Sequence, residues 1–157
     1  MKIIPKRQAM VINNIENVKR IKKVFYLGAA FIAVLALVLF FAGYFFPALI
    51  GIGIFPFWYF FFQVADYQYI EFNNEKNKII LRYYKVIKFG KPAYNSIEIQ
   101  HTKLLRVYFE DSFFGKLTDV TLIVKTNRGA AEYPSVSLTA LPKADRMRLK
   151  IALLEEV

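Results

Sequence analysis

The chain has no cysteine and a single histidine. The first absence removes disulfides, thiolate metal sites and a cysteine nucleophile. The second leaves His101 alone in Gln100-His101-Thr102-Lys103, with no second imidazole, serine elbow or carboxylate at useful spacing. It reads as a turn residue, not as a base. Glu110 and Asp111 are adjacent, so on a strand they point to opposite faces and do not work together as acid and base. Asn73–Asn77 lacks the alternating oxygen ligands and glycine of a calcium loop. Gly115 and Gly129 are isolated, which excludes a phosphate-cradling glycine loop. These absences leave no catalytic residue, metal site or cofactor to expect, and the chain reads as a non-enzyme.

Charge is missing over one long stretch. From Val24 to Ala65 there is no Asp, Glu, Lys, Arg or His, and Gln63 is the only amide. As one helix this stretch would run about 63 Å, twice a hydrocarbon core of about 30 Å. Gly43 and Pro47, near its middle, are breakers where a turn is needed. The stretch therefore predicts a transmembrane helical hairpin, with spans near Val24–Phe45 and Ala48–Ala65. A cleaved signal peptide fits poorly, since the run far exceeds an h-region of about 7–15 residues. No charged group lies inside either span, which argues against a proton relay or ion path.

What the hairpin lacks is concentrated in its flanks. Net charge is +10, and residues 1–23 carry seven basic side chains against Glu16 alone. An excess of Lys and Arg marks the cytoplasmic side, so both termini are expected there. The segment 1–23 reads as a basic entry, with Asn13 as helix N-cap and Glu16 three residues on. Lys19, Arg20, Lys22 and Lys23 gather beside the span, where they either contact anionic lipid headgroups or act simply as a topology signal.

Within the first span, Ala29, Ala33 and Ala36 form a small-residue strip; the second offers Trp58, Phe61 and Phe62 as bulky knobs. Small against large predicts the packing between the spans. A membrane partner on the aromatic face is the other reading. Pro56 is expected to bend the second span.

After Ala65 the period changes from helix to strand. Gln68, Ile70 and Phe72 alternate, then Ile79, Leu81, Tyr83, Ile87 and Phe89, then Ile97 and Ile99, then Leu105, Val107 and Phe109, then Val120, Leu122 and Val124. Asn127-Arg128-Gly129 marks a hairpin turn, and a short strand follows near Ala130–Val136. Period-2 alternation at regular spacing predicts an antiparallel sheet with one buried face. Ala144, Met147, Ile151 and Leu154 then step at helical spacing, with Thr139 as N-cap. That helix is expected to close the sheet. Phe113-Phe114, between Asp111 and Lys116, has three open fates: burial under the rim, the membrane interface, or a partner.

Several stretches together resemble one family. They are Ser96-Ile97-Glu98-Ile99, Leu105-Arg106-Val107, Asp111-Ser112-Phe113-Phe114-Gly115-Lys116-Leu117 and Val120-Thr121-Leu122-Ile123-Val124. With the order of two spans, about six or seven strands and a closing helix, they resemble bacterial membrane proteins with a PH-like (pleckstrin-homology-fold) domain. The resemblance covers roughly residues 24–155 and implies an architecture: basic segment 1–23, hairpin 24–65, PH-like domain 66–157. It also implies the bacterial inner membrane, and it carries over no catalytic residue. The aromatic load of the second span is where the chain departs from it. The function expected is that of an accessory subunit in a larger membrane complex, joined through the membrane or by self-association. The alternative is an anionic-lipid binding or sensing module. A domain tethered to a bilayer meets anionic lipid before nucleic acid, so no nucleic-acid partner is expected.

Overall fold

The protein, seen in a computed structural model, is described over residues 9–75 and 77–157; Lys2, Lys6, Arg7 and Lys76 lie outside the described residues. It is an α+β chain. Strand β1 (Met10–Asn13) leads into helix α1 (Ile15–Phe41), and a tight turn leads to α2 (Phe45–Ala65). Seven further strands follow, β2 (Gln68–Asn74), β3 (Lys78–Lys85), β4 (Asn95–Gln100), β5 (Leu104–Ser112), β6 (Leu117–Thr126), β7 (Gly129–Glu132) and β8 (Val136–Ser137), and helix α3 (Lys143–Glu155) ends the chain.

The turn between the helices is closed by its own backbone. Gly43 has φ 85°, its N–H donates to Phe40 O, and the Tyr44 N–H donates to Leu39 O. This is the Schellman closure, which asks for glycine at the left-handed position. Pro47 falls in the first turn of α2, where its missing N–H has no helical acceptor to lose. Both helices are long and apolar enough to cross a membrane, and only 11% of the apolar window of each is buried, unlike the core helix of a soluble fold.

Two antiparallel sheets face each other, one ordered β1-β2-β3-β4, the other β5-β6-β7 with β8 on the other edge of β6. Ile70, Phe72, Ile79, Leu81, Ile97, Ile99, Val120, Leu122 and Val124 fill the space between them. Helix α3 adds Leu149, Ala152 and Leu153 to the same core.

Four expectations are corrected here. In the basic entry segment, residues 10–13 form β1, paired from Met10↔Asn74 to Asn13↔Glu71, so Asn13, expected as the helix N-cap, ends a strand and Asn14 takes the cap position. The apolar hairpin is thus inserted between two neighbouring strands, not placed ahead of the domain. Strand β5 presents Leu104 inward and leaves Leu105 exposed, because a bulge between Leu104 and Arg106 resets the alternation. The stripe Ala144, Met147, Ile151 and Leu154 is not the buried face of α3, which is Leu149, Ala152 and Leu153; Met147, Ile151 and Leu154 are exposed. The helix starts at Lys143, and Thr139 instead accepts from the Thr118 N–H (3.3 Å).

Candidate functional site

The informative place is where the hairpin meets the sheets, and it is built from amides. Asn14, 3% exposed, ends β1 and precedes α1. Its Nδ2 donates to Gln68 O (2.9 Å), and its Oδ1 accepts from the Ile70 N–H (2.8 Å). A side chain thus continues the β1–β2 ladder one residue further while the backbone turns into a helix. Asn17 Nδ2 donates to Ala140 O (3.0 Å), and Gln63 Nε2 donates to Ile87 O (3.1 Å). Helix α2 ends on Asp66 in the left-handed region (φ 44°), a conformation short polar residues tolerate. Its carboxylate accepts from Gln68 Nε2 (2.8 Å) and lies 3.3 Å from Lys85 Nζ. The Gln68 Oε1 in turn accepts from the Ser137 N–H (3.2 Å). The amide bonds are partly or fully shielded from water, so removing one partner leaves a costly orphan.

Apolar contacts reinforce these bonds. Val18, Phe25 and Phe62 pack with Val86 and Ile87 of the loop after β3. Trp58 lies on Gly28 so closely that a Cβ there would overlap its ring, and its Nε1–H donates to Phe25 O (3.2 Å). Gly51 faces Ala36 further along the hairpin. Ala36 is buried and Ala29 half-buried, but Ala33 is exposed; Trp58 and Phe62 face α1, while Phe61 faces outward. The physical reason is rotation: the stripe of α1 runs through Val18, Phe25, Gly28, Ile32 and Ala36, which puts Ala33 off the contact.

Charge and aromatic rings surround this junction. Phe25 meets Phe62 (5.2 Å between centroids), so Lys22 and Lys23, a turn earlier, stand level with the last turn of the antiparallel α2. Lys22 Nζ lies over the Tyr84 ring at 5.9 Å. Lys19 pairs with Glu16 (3.1 Å) in the open, a weak contact, and Arg20 is exposed. Tyr69 stacks on Tyr84, which meets Tyr94. Burial raises the Tyr69 and Tyr84 hydroxyls above the usual phenol range, helped at Tyr69 by the Glu71 carboxylate. Phe89, exposed in the β3–β4 loop, stacks on Tyr59 of α2 (5.3 Å).

Another face of α2 meets the β5–β6 tip. Phe113, Phe114 and Gly115 have φ of 50°, 57° and 78°, all left-handed. Two bulky residues in that region carry strain, and both rings are exposed, Phe114 completely. Of the three fates open to this pair, burial under the rim is not the one adopted. Phe113 borders a cavity of about 420 Å³ with Phe61, Val64, Ala65, Tyr67, Lys116, Leu117 and Thr139. A second cavity, about 410 Å³, also touches Lys116 and is lined by Phe109, Asp111, Thr118, Lys143, Arg146 and Lys150, among others. Sequence reasoning singles out Phe113 and Phe114 but misses Lys143 and Lys150, because nothing in spacing links a strand tip to the face of a helix far along the chain.

His101 is a fastener. Its Nε2 faces Glu75 O (2.7 Å) and its Nδ1 faces Glu156 Oε2 (2.6 Å), so it ties the β2–β3 turn to the end of α3. Glu110 and Asp111 are not joined: the Asp111 carboxylate accepts from the Thr118 hydroxyl (2.6 Å). Burial raises Asp119 above the ordinary carboxylate range; Asp66 and Glu110 push the same way, and the Ser137 hydroxyl opposes them.

No family model, curated protein or solved structure matches this chain.

Proposed function

We propose that this is a two-span membrane protein of the bacterial inner membrane, with both termini cytoplasmic and a PH-like domain locked against that face of the bilayer. Its role is non-enzymatic: an accessory subunit whose hairpin packs in a larger membrane complex, while the domain presents an interaction surface. The observation that carries this reading is the amide junction. Asn14 fixes the hairpin to β2, Asn17 and Gln63 fix it to loop carbonyls of the domain, and Gln68 of β2 ties that sheet to Ser137 of the other, so a partner gripping the exposed helix faces would orient the domain as well. A domain that only needed tethering would be served by a flexible linker. Two facing antiparallel sheets with a C-terminal helix against their core support the PH-like reading. The basic cavity beside Lys116 favours the second reading, anionic-lipid binding.

Purification in gentle detergent tests the leading reading. The expected result is a stoichiometric membrane-protein partner or a defined self-assembly; a lone monomer holding only lipid would end the subunit role. Reporter fusions test the orientation. A periplasm-active reporter is expected to work when inserted at Gly43 and to be silent at residue 157, and the reverse result would invert the topology.

A further inference from the structure

Two neighbouring cavities, one mainly apolar and the other carrying four basic side chains, share Lys116 in their walls. We propose that together they bind one anionic phospholipid from the leaflet next to the sheet domain. The proposal rests on the reading of the hairpin as membrane-spanning. The first cavity is walled by Phe61, Val64 and Ala65 in the last two turns of α2 and by Phe113 and Leu117 of the strand tip. Its apolar walls continue the outer surface of the hairpin. An acyl chain lying along α2 therefore enters it without leaving an apolar surrounding. The level fits, since Lys22 and Lys23 stand at the same height on α1, where an inner-leaflet headgroup layer would lie.

The second cavity supplies the charge. Lys116, Lys143, Arg146 and Lys150 line it against one carboxylate, Asp111, which is already engaged by Thr118. Arg146 is held in place by the Thr118 hydroxyl (3.0 Å) and the carbonyls of Thr139 and Leu141. Lys150 Nζ lies over the Phe109 ring at 5.1 Å. Among the described residues no carboxylate pairs with Lys116 or Lys143, so both ammonium groups are available to an anion. The two cavities are neighbours: Lys116 lines both, and the Thr118 N–H in the wall of one donates to the Thr139 hydroxyl in the wall of the other. An occupant of both has an apolar tail and an anionic head, which selects a phospholipid over a free anion or an apolar peptide. The left-handed backbone at Phe113 holds that residue in one wall of the first cavity.

The test is native mass spectrometry of the full-length protein in micelles doped with phosphatidylglycerol or with phosphatidylcholine of the same chains. The wild type is expected to retain phosphatidylglycerol about tenfold better. Lys116→Glu with Lys143→Glu is expected to bring the two lipids to parity. Lys103→Glu with Lys125→Glu, the same charge change near the far end of β6 about 30 Å away, is expected to keep the preference. If the first pair does not melt cooperatively, Lys116→Gln with Lys143→Gln makes the same comparison. Phe113→Ser is expected to lower retention of both lipids without changing their ratio. No preference in the wild type, equal loss in the control pair, or full displacement by millimolar glycerol phosphate would each overturn the site. Alkaline washing of membranes separates the two claims. Retention in the washed membrane with no lipid preference overturns the site alone, whereas release into the wash overturns the hairpin reading beneath it.

Discussion

In the sheet domain Phe72, Leu81, Leu122 and Leu149 are all but removed from solvent, whereas in the hairpin Phe31, Val34, Leu37 and Phe57 remain exposed. The domain is held as soluble domains are, by about 1.5–3 kcal/mol for each large apolar side chain taken from water. The hairpin has no such term to draw on if lipid surrounds it, because lipid is as apolar as leucine. It is instead held at a few points: one tryptophan seated on a glycine, one buried asparagine, and two amides reaching loop carbonyls. A structure fixed at few points is sensitive at those points and tolerant elsewhere. Substitutions that separate the two regimes should follow that rule.

The largest effect is expected at Asn14. Asn14→Ala leaves Gln68 O and the Ile70 N–H without their side-chain partner in a buried place, a cost of about 2–4 kcal/mol. Thermal melting in detergent should fall accordingly, and protease cleavage near residue 14 should rise. A change within about 0.5 kcal/mol, the range of an ordinary surface substitution, would mean that β1–β2 pairing alone holds the junction.

The next is Gly28. A Cβ there meets the Trp58 ring, so Gly28→Ala should cost about 1–3 kcal/mol and shift Trp58 fluorescence as its bond to Phe25 O breaks. Ala33→Leu, on the exposed side, should leave the melting temperature nearly unchanged. Equal losses would mean that the exposed side of α1 is also packed, by a second copy or a partner.

How much of this is legible in the sequence follows the same division. The uncharged run and the breakers at Gly43 and Pro47 announce the hairpin, and alternation from Gln68 to Val124 announces the sheets, because both signals are periodic and local. The faces are less legible. Spacing alone places Ala33 and Phe61 in the helix contact, but helical periodicity leaves the rotation of a uniformly apolar helix undetermined, and only Gly28 meeting Trp58 fixes it. Strand β1 is unreadable for another reason: its partner β2 lies beyond the whole hairpin in the chain, and Asn13-Asn14 carries the same signature as a helix cap. The exposed stripe on α3 misleads because the buried face includes Ala152 and lies beside Arg146, a poorer hydrophobic signal than Met147, Ile151 and Leu154. The candidate lipid site is half visible: Phe113 and Lys116 are near neighbours in sequence, but Lys143 and Lys150 reach them only through the fold.

A gain is expected at the strand tip. Phe114 is fully exposed and left-handed, a region asparagine enters more easily. Phe114→Asn should therefore stabilise the detergent-solubilised protein by about 1 kcal/mol. Loss of stability instead would show that the ring is covered in the assembled protein.

The smallest effect tests the electrostatics on the sheet side of the junction. Asp119 sits above the ordinary carboxylate range because burial disfavours its charge, and Asp66 and Glu110 add repulsion. Its folded state therefore holds the proton more tightly than the unfolded chain does. The resulting stability is present in full below the ordinary value, about 3.9, and is lost as pH rises through the raised one. Above the raised value the wild type carries the charged, disfavoured form, and Asp119→Asn does not. The variant should melt slightly higher at pH 7, by about 0.5 kcal/mol or less since the group stays partly solvated. That advantage should shrink to nothing as pH falls below about 4, where the wild type is protonated too. A variant less stable at pH 7, with the deficit disappearing in acid, would mean that the Ser137 hydroxyl outweighs burial and that the carboxylate is favoured in its charged form.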